Sequence, residues 1–422
     1  MSSDMSMSFT KLLGNPRLVA ILFLGFASGL PLALIGSTLQ AWFTEENIDL
    51  VTIGSLSLLG IPYTLKFLWA PLMDYFRIPV LGRRRGWILL TQVGVAALLL
   101  TLSFLRPSSQ AHLMGMAAFL LAVFSASQDI AIDAYRTDIL KTEERGLGAA
   151  YFVFTYRIAI LFSGGLALVF ADHLGWKLTY QLMAVLIVLS MAPAWMAPKV
   201  ADIAPSSQTF FSVTLASIKD LFTREKVVLL LLFIVFYKIG DALALQLMTN
   251  FLLHGLGFSL SEVGLAYKTV SFIATVGGAF IGGLLLVRWN IFRALLVFGL
   301  AQAFSNLMFV ALAWAGKNYF LMIASIFIEN FCSGLSTAAF FAFLMSLCNH
   351  RYTASQYALL SAIASLGRVF LGPVAGVMVK EWGWIQFYIW SFLLCFPGLI
   401  FLLLLKLLFK EKVLNYAPAD AN

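Results

Sequence analysis

The chain has 422 residues, of which 61% are hydrophobic and only 11% are charged. Soluble domains are about 45–50% apolar and about 25% charged, so this composition excludes a soluble globular protein and predicts an integral membrane protein. The formal net charge of +8 is explained by basic loops beside an anionic membrane leaflet and does not indicate nucleic-acid binding.

Twelve apolar runs follow one another along the chain, and a helix of about 20 such residues is enough to cross a bilayer. No run alternates apolar and polar residues as the strands of a membrane barrel do. The sequence therefore predicts an all-α membrane protein with 12 transmembrane helices. The predicted spans are 18–43, 51–72, 86–105, 111–136, 147–170, 178–197, 227–252, 261–286, 292–314, 319–347, 355–379 and 384–408.

The orientation is predicted from the ends and the connections of these spans. No short apolar region with a small-residue cleavage site precedes the first span, so we expect that span to be an uncleaved anchor. With twelve spans the two termini share a side, and nineteen of the 28 Lys and Arg residues lie in the connections of that side. Only Arg106, Lys177, Lys317 and Lys380 lie in the connections of the other side. The positive-inside rule then predicts that both termini are cytoplasmic.

The longest polar connection divides six spans from six. Within it Phe211, Leu215, Ile218 and Phe222 recur at helical spacing, which predicts an amphipathic helix at the cytoplasmic interface. The segments TEERGLGAAYFVFTYR and TASQYALLSAIASLGR keep Thr and Arg at the same spacing in the two halves. Such similarity between the two halves indicates a duplicated six-helix unit, as in many secondary transporters. The predicted domains are an N-terminal bundle over 1–197, a linker over 198–226 and a C-terminal bundle over 227–422.

Nine charged residues lie inside predicted spans, where each costs about 2.5–3.5 kcal/mol on insertion scales. Interhelical ion pairs could explain any single one of them. As a group, five cations and four anions spread over both halves predict a polar internal cavity. They are Lys66, Asp129, Asp133, Arg157, Lys238, Asp241, Lys268, Glu329 and Arg368.

Two of these acids, in the stretch SASQDIAIDAYRTDIL, lie four residues apart on one face of a helix. Two carboxyls in a low-dielectric cavity can share a proton near neutral pH, so we predict that Asp129 and Asp133 form a proton-coupling site. The other intramembrane charges and nearby tyrosines are predicted to bind an anionic or sugar-containing substrate, although helix packing explains the tyrosines equally well. These predicted substrate-binding residues are Lys66, Arg157, Lys238, Asp241, Lys268, Glu329, Arg368, Tyr63, Tyr156, Tyr237 and Tyr267.

The connection APLMDYFRIPVLGRRRGW resembles the loop signature of the major facilitator superfamily, in which an acid ends a helix before a basic cluster. Asp74 matches in kind, whereas Ala70 stands where the signature has Gly. In the superfamily this loop stabilises the cytoplasmic gate through charge pairs, so the resemblance implies a gating role for Asp74. A basic cytoplasmic loop would explain the arginines but not Asp74. The predicted gating residues are Asp74, Arg83, Arg84, Arg85, Arg136 and Asp138.

Longer segments spread over nearly the whole chain resemble the AmpG-type muropeptide permease family. They are GFASGLPLAL, TLQAWFTEENIDLVTIG, KFLWAPLMD, GRRRGW, SASQDIAIDAYRTDIL, EERGLGAA, YKIGDALAL, FRALLVFG and GRVFLGPVAG. The resemblance implies the major facilitator fold of two six-helix bundles. The family's paired acids of the fourth span correspond to Asp129 and Asp133, and its Lys and Asp of the seventh to Lys238 and Asp241.

The same resemblance implies a multi-pass importer of the bacterial inner membrane, driven by the proton-motive force. Its substrates would be anhydro-muropeptides, N-acetylglucosamine joined to anhydro-N-acetylmuramic acid with or without peptide. These pass from periplasm to cytoplasm for cell-wall recycling, and in some bacteria their level governs β-lactamase induction. Better-known members carry further apolar helices after the twelfth span, whereas this sequence stops at Asn422; we expect the carrier core to be intact.

Other classes are less consistent with the sequence. The four histidines lie near span ends, and no HExxH, GxSxG or GxxxxGK[ST] motif occurs, so we do not expect an enzyme. A sensor without transport and a proton-coupled importer of another amphiphilic solute, such as a peptide or siderophore, stay open.

We expect protons as the coupling ion and no cofactor. The expected partners are a small-molecule substrate and membrane lipids, and the expected state is a monomer. Cys332, Cys348 and Cys395 are interpreted as packing residues.

Overall fold

The computed structural model describes residues 15–70, 73, 78, 82–140, 145–198, 219, 221–223, 226–286, 288–347 and 353–408. Apart from one isolated bridge between Ile78 and Gly82, the regular structure of these residues is helical. The all-α class is confirmed. In chain order the helices are α1 Pro16–Glu45, α2 Leu50–Leu65, α3 Arg83–Phe104, α4 Pro107–Ile139, α5 Arg145–Leu161, α6 Ala167–Met196, α7 Val227–Gly255, α8 Leu260–Leu286, α9 Ile291–Ala315, α10 Tyr319–Ser346, α11 Thr353–Leu393 and α12 Phe396–Leu408.

Nine continuous helices within the described ranges are long and apolar enough to cross a membrane. Two of them, Tyr151–Met196 and Leu359–Leu408, have 46 and 50 residues, about twice the length that one crossing needs. Each contains a glycine with a positive φ that is not helical, Gly175 in α6 and Gly383 in α11. Two crossings in each of these two long helices, one in each of the other seven and one in α2 would give the twelve predicted transmembrane helices. That number stays a prediction.

The chain divides into two compact units. The first unit is Met1–Glu46 with Leu59–Ser206, and the second is Asn47–Leu58 with Ser207–Asn422. The start of α2 groups with the second unit because it packs on α11, where a Cβ on Gly54 would lie 2.1 Å from the Gly372 carbonyl oxygen. The predicted linker falls mostly outside the described residues, as do Phe211, Leu215 and Ile218 of the predicted amphipathic helix. The predicted domain boundaries stay a prediction.

The same helix pairs pack against each other inside each unit. In the first unit α1 packs on α5, and α3 packs on both α4 and α6. In the second unit α7 packs on α11, and α9 packs on both α10 and α12. Each of these five helices of the first unit therefore has a counterpart six helices later, in agreement with the sequence similarity between the two halves.

Several helices depart from α geometry in their interior. Wider π turns occur at Leu34–Thr38 in α1, Phe162–Leu166 between α5 and α6, and Phe251–Gly255 in α7. The first two meet within the first unit, where the Thr38 hydroxyl donates to the Ser163 carbonyl oxygen at 2.6 Å. Because π turns redirect backbone groups and are common at functional sites, these helices have positions at which the α ladder is interrupted.

The start of α2 is fixed by a capping aspartate. The Asp49 carboxylate accepts hydrogen bonds from the backbone N–H groups of Val51 and Thr52, each at 3.0 Å. Hydrogen bonds from Thr52, first from its side chain and then from its backbone, hold the pKa of Asp49 below its ordinary value. Such a cap stabilises a helix by about 1 kcal/mol. This contribution is present above the ordinary pKa of aspartate and is lost only as the pH falls through the lowered value.

Candidate functional site

The first-unit polar cluster consists of Ser28, Lys66, Asp129, Asp133 and Arg136. Helix α4 carries the two acids and the arginine on one face, because i, i+4 and i+7 positions line up along a helix. The Ser28 hydroxyl of α1 donates to Asp129 Oδ1 at 2.5 Å. Asp133 Oδ1 lies 3.2 Å from Arg136 Nη2, and Asp133 Oδ2 lies 3.9 Å from Lys66 Nζ.

The two acids of this cluster have different neighbours. Asp133 lies between two cations, which stabilise it as an anion, and its side chain is 46% exposed. Asp129 instead accepts from a neutral hydroxyl. Lys66 also acts electrostatically on Asp129, so one cation influences both acids. The structure thus brings the predicted pair onto one face, and its proton-coupling role stays a prediction.

Three further predicted substrate-binding residues lie in the first unit. The Tyr63 hydroxyl is buried, and the Tyr156 ring stacks on Phe152 with centroids 5.9 Å apart. Arg157, next to Tyr156 on α5, is exposed. Because a guanidinium in the middle of a membrane helix is costly in lipid, exposure at this position favours contact with water. Their contact with substrate stays a prediction.

The second-unit polar cluster brings together side chains from α7, α9 and α10. Its centre is Gln302, whose Nε2 lies 3.1 Å from Asp241 Oδ1 and 3.3 Å from Glu329 Oε1. Lys238 Nζ lies 3.5 Å from Asp241 Oδ2, which also accepts from the Ser333 hydroxyl at 3.4 Å. The whole cluster consists of Lys238, Asp241, Gln302, Glu329, Asn330 and Ser333.

This cluster lies deep inside the second unit. Glu329 is fully buried, and Asp241 and Gln302 are nearly so. The Asn330 amide donates to the second Glu329 oxygen, Oε2, at 2.8 Å. Charge inside apolar runs singled out Lys238, Asp241 and Glu329 in the sequence. Gln302 was missed because it is uncharged; the signal that could have indicated it is the presence of two amides, Gln302 and Asn306, within the apolar run of α9.

The other predicted substrate-binding residues of the second unit lie in different surroundings. Tyr237 is part of the apolar core, stacks on Phe340 at 5.3 Å, and donates its hydroxyl to the Leu295 carbonyl oxygen at 2.9 Å. Packing therefore accounts for this tyrosine. Lys268 Nζ lies 4.6 Å from the centre of the Tyr267 ring. Arg368 is exposed on α11. Substrate contact by these residues stays a prediction.

The predicted gating residues that are described lie at contacts within the first unit. Arg84 of α3 pairs with Asp138 of α4, with Nε 2.8 Å from Oδ2. Arg85 Nη2 donates to the Trp195 carbonyl oxygen. The Arg136 guanidinium also lies 4.5 Å from the centre of the Phe152 ring. Asp74 and the side chain of Arg83 lie outside the described residues. One ion pair and one hydrogen bond thus tie α3 to α4 and α6, and gating stays a prediction.

Within the described ranges, no group of three or more His, Cys, Asp or Glu side chains is arranged to hold a metal ion. The charged and polar side chains of the two clusters can form ion pairs and hydrogen bonds, and their acids can exchange protons.

The model of the Major Facilitator Superfamily matches residues 21–370, most of the chain. The anhydromuropeptide permease of Escherichia coli K12 is 48% identical over 419 residues, which cover 99% of this chain and 84% of that protein. The chain belongs to the AmpG-type permeases of the major facilitator superfamily. The putative transporter AmpG 4 of Rickettsia conorii is also similar, 33% identical over 412 residues that cover 95% of this chain and 99% of that one.

The solved structures agree on the fold of these permeases. The nucleoside transporter NupG matches with a TM-score of 0.73 at 13% identity, covering 94% of this chain and 100% of that one. The predicted major facilitator fold is confirmed. The permease is a membrane transporter of small molecules and not an enzyme, because its relatives are permeases and transporters.

Proposed function

We propose that this permease imports anhydro-muropeptides, GlcNAc-anhydroMurNAc with or without peptide, from the periplasm to the cytoplasm for cell-wall recycling. The observation that carries the proposal is the 48% identity, over 99% of the chain, to a protein named anhydromuropeptide permease. We further propose that it acts as a monomer surrounded by lipid in the bacterial inner membrane, with both termini cytoplasmic. In bacteria that sense these sugars, its activity would contribute to β-lactamase induction.

The side chains of both units fit such a cargo. A muropeptide carries peptide carboxylates, many hydroxyls and two N-acetyl methyls. Exposed Arg157 and Arg368, together with partly exposed Lys66, offer cations for the carboxylates. Tyr156, next to Arg157, and Tyr267, beside Lys268, offer aromatic faces and hydroxyls.

The transport energy would come from protons. In the first unit, Asp129 is the acid with a neutral hydrogen-bond partner, whereas Asp133 is held by Arg136 and Lys66. Lys66 acts on Asp129 as well, but the direct ion pairs are those of Asp133. An acid outside a direct ion pair gains more from taking up a proton than an acid held in one. Asp129 is therefore the better-placed carrier of the coupling proton in this unit, and Asp133 positions the basic groups beside it. We propose no cofactor.

The test is uptake of radiolabelled GlcNAc-anhydroMurNAc-peptide by right-side-out membrane vesicles that contain the permease. We expect accumulation that an uncoupler abolishes, because the proton gradient drives it. Vesicles from cells that lack the permease are the control. No uptake above this control would contradict the cargo, and accumulation unaffected by the uncoupler would contradict the driving force. Competition by an unlabelled peptide or siderophore, but not by the disaccharide, would favour the alternative cargo.

A further inference from the structure

Two carboxyl groups of the second unit are buried around one amide and one cation. We propose that Asp241 and Glu329 form a proton-binding site in which Glu329 holds a proton and donates it in a hydrogen bond to the Asp241 carboxylate. The role of this site in transport rests on the proposed function. The presence of the proton does not, because it follows from the geometry and charge of the cluster.

The first argument is the orientation of Gln302. Its amide nitrogen contacts one oxygen of each acid, so its two hydrogens are both used. Its amide oxygen is buried and accepts no hydrogen bond from the described part of the chain. Exchanging the two amide atoms would place that oxygen between two carboxyls. The side chain is therefore a fixed double donor that holds the two acids on either side of one nitrogen.

The second argument is the count of charges. Lys238 contacts the Asp241 carboxylate, and its other contacts are uncharged: the hydroxyls of Ser336 and Thr337 and the Phe340 ring. Glu329 is approached by two amide groups, those of Gln302 and Asn330. One cation offsets one carboxylate, and a second buried carboxylate would remain uncompensated, which is unfavourable in a low-dielectric interior. A proton on Glu329 restores neutrality.

The third argument is the contact between the two acids. The Asp241 and Glu329 carboxyls each place an oxygen against the same Gln302 nitrogen, at 3.1 and 3.3 Å, and the two acids interact with each other. Two ionised carboxylates repel each other at this range and have no hydrogen to share, whereas one protonated carboxyl donates to the other. The contact is stabilising only if one proton is present.

The surrounding elements add no further charge to the cluster. The other titratable groups that act on the pair are tyrosines and cysteines, which are ordinarily neutral near pH 7. Among the described residues, Lys238 is then the one cation that faces the two acids. These neutral groups are Tyr237 of α7, Tyr267 of α8, Cys332 of α10, Tyr388 of α11 and Cys395 before α12.

The proton would make the cluster responsive to hydration. While no water reaches the cluster, the shared proton keeps the net charge of the cluster at zero. Water that reaches Glu329 could accept the proton and would solvate the carboxylate left behind. A conformational change that opens or closes access to α10 would thereby release or bind one proton. The site would supply proton coupling in the second unit, separate from Asp129 in the first.

The test is infrared spectroscopy of the full-length permease in lipid bilayers at neutral pH, with no cargo added. The carbonyl stretch of a protonated carboxylic acid is absent from ionised carboxylates. We expect Glu329→Gln to lose a band of this type that the unmodified permease shows. Gln has nearly the shape of a protonated Glu, so the fold is preserved. The matched control is Glu262→Gln, since Glu262 is paired with Lys317 at the start of α8 and caps that helix; this variant should keep the band.

A second variant tests the protonation state of Glu329 without replacing that residue. Asp241→Asn leaves Lys238 as the cation nearest to a single acid, so Glu329 should ionise and the band should again be lost. Bands that persist unchanged in Glu329→Gln, or in Asp241→Asn, would overturn the proposal. If Glu329→Gln does not fold, Asp241→Asn decides alone. Because no cargo is present, a failure here is distinct from a failure of the uptake assay.

Discussion

Asp129 and Asp133 lie one turn apart on α4, but their surroundings differ. Asp129 accepts one short hydrogen bond from Ser28, whereas Asp133 neutralises Arg136 and lies near Lys66. An Asn at position 129 keeps an oxygen that accepts from Ser28 but has no acid. The hydrogen bond and the proton can therefore be separated by substitution.

We expect Asp129→Asn to reduce proton-driven uptake at least tenfold with little change in melting temperature, because the acid is lost while the contact with Ser28 is kept. Ser28→Ala is the matched control: it should cost about 1 kcal/mol of stability, the usual value of a hydrogen bond, and keep most of the uptake. The measurements are vesicle uptake and thermal melting of the purified variants. Equal loss of uptake in the two variants would show that the contact, and not the acid, is required. Asp133→Asn is also expected to lose uptake, since it removes the negative charge that Arg136 and Lys66 share.

The sequence indicated much of both clusters because charges are conspicuous in apolar runs. Lys238, Asp241 and Glu329 were singled out individually, and the structure brings them together. Their pairing could not be predicted, because it depends on how α7 and α10 are rotated about their axes. Gln302 was missed because it is uncharged, and an amide within an apolar run is a weaker signal than a charge.

At the level of helices, glycine sets how closely α8 and α10 pack. A Cβ on Gly278 would lie 2.1 Å from the Phe331 carbonyl oxygen, whereas a Cβ on neighbouring Gly277 would meet nothing within 4 Å. Adjacent residues on one helix therefore differ completely in the space that a methyl group would have.

We expect Gly278→Ala to destabilise the second unit by about 1–3 kcal/mol, the usual cost of overpacking, because α8 and α10 must move apart. Gly277→Ala, on the open side of the same helix, should be neutral or slightly stabilising, since Ala is the better helix former by about 1 kcal/mol. The melting temperatures of the two purified variants give the comparison. Similar effects at the two positions would mean that this close approach does not limit stability.

Helix positions were predictable from apolar runs, but interruptions of helical geometry were not. The run 51–72 predicts one continuous span, whereas α2 ends at Leu65 and continues as a 3-10 turn over Lys66–Leu68. The π turns were not foreseen either. Two of them contain glycines, Gly36 and Gly164, and are joined by the hydrogen bond from Thr38 to Ser163, which depends on which helices become neighbours. Local sequence does not specify those neighbours.

For the molecule as a whole, the distribution of basic residues predicts which loops face the periplasm. Lys177 and Arg293 form a matched pair for testing this, because each is exposed and lies over an aromatic ring, Phe104 and Trp289 respectively. Lys177 belongs to the sparsely basic side and Arg293 to the strongly basic side.

With the three native cysteines replaced, we expect Lys177→Cys to react with a membrane-impermeant maleimide in cells whose outer membrane is permeable. Arg293→Cys should react only after the inner membrane is opened, because the positive-inside rule places it in the cytoplasm. Labelling is followed on gels, and both variants are compared after full solubilisation to normalise for reactivity. The reverse pattern would show that the termini are periplasmic.

The shortness of α2 has a consequence for how the chain is made. As a helix, Leu50–Leu65 is about 24 Å long, less than the roughly 30 Å of a bilayer's hydrocarbon core, and Lys66 follows it directly. A nascent segment that is this short and is followed by a cation gains little free energy by moving alone from the translocon into lipid. Among the described residues, its cation forms an ion pair with Asp133 of α4, with Nζ 3.9 Å from Oδ2. We expect α2 to be retained until α4 has been synthesised, so that the two helices partition into lipid together.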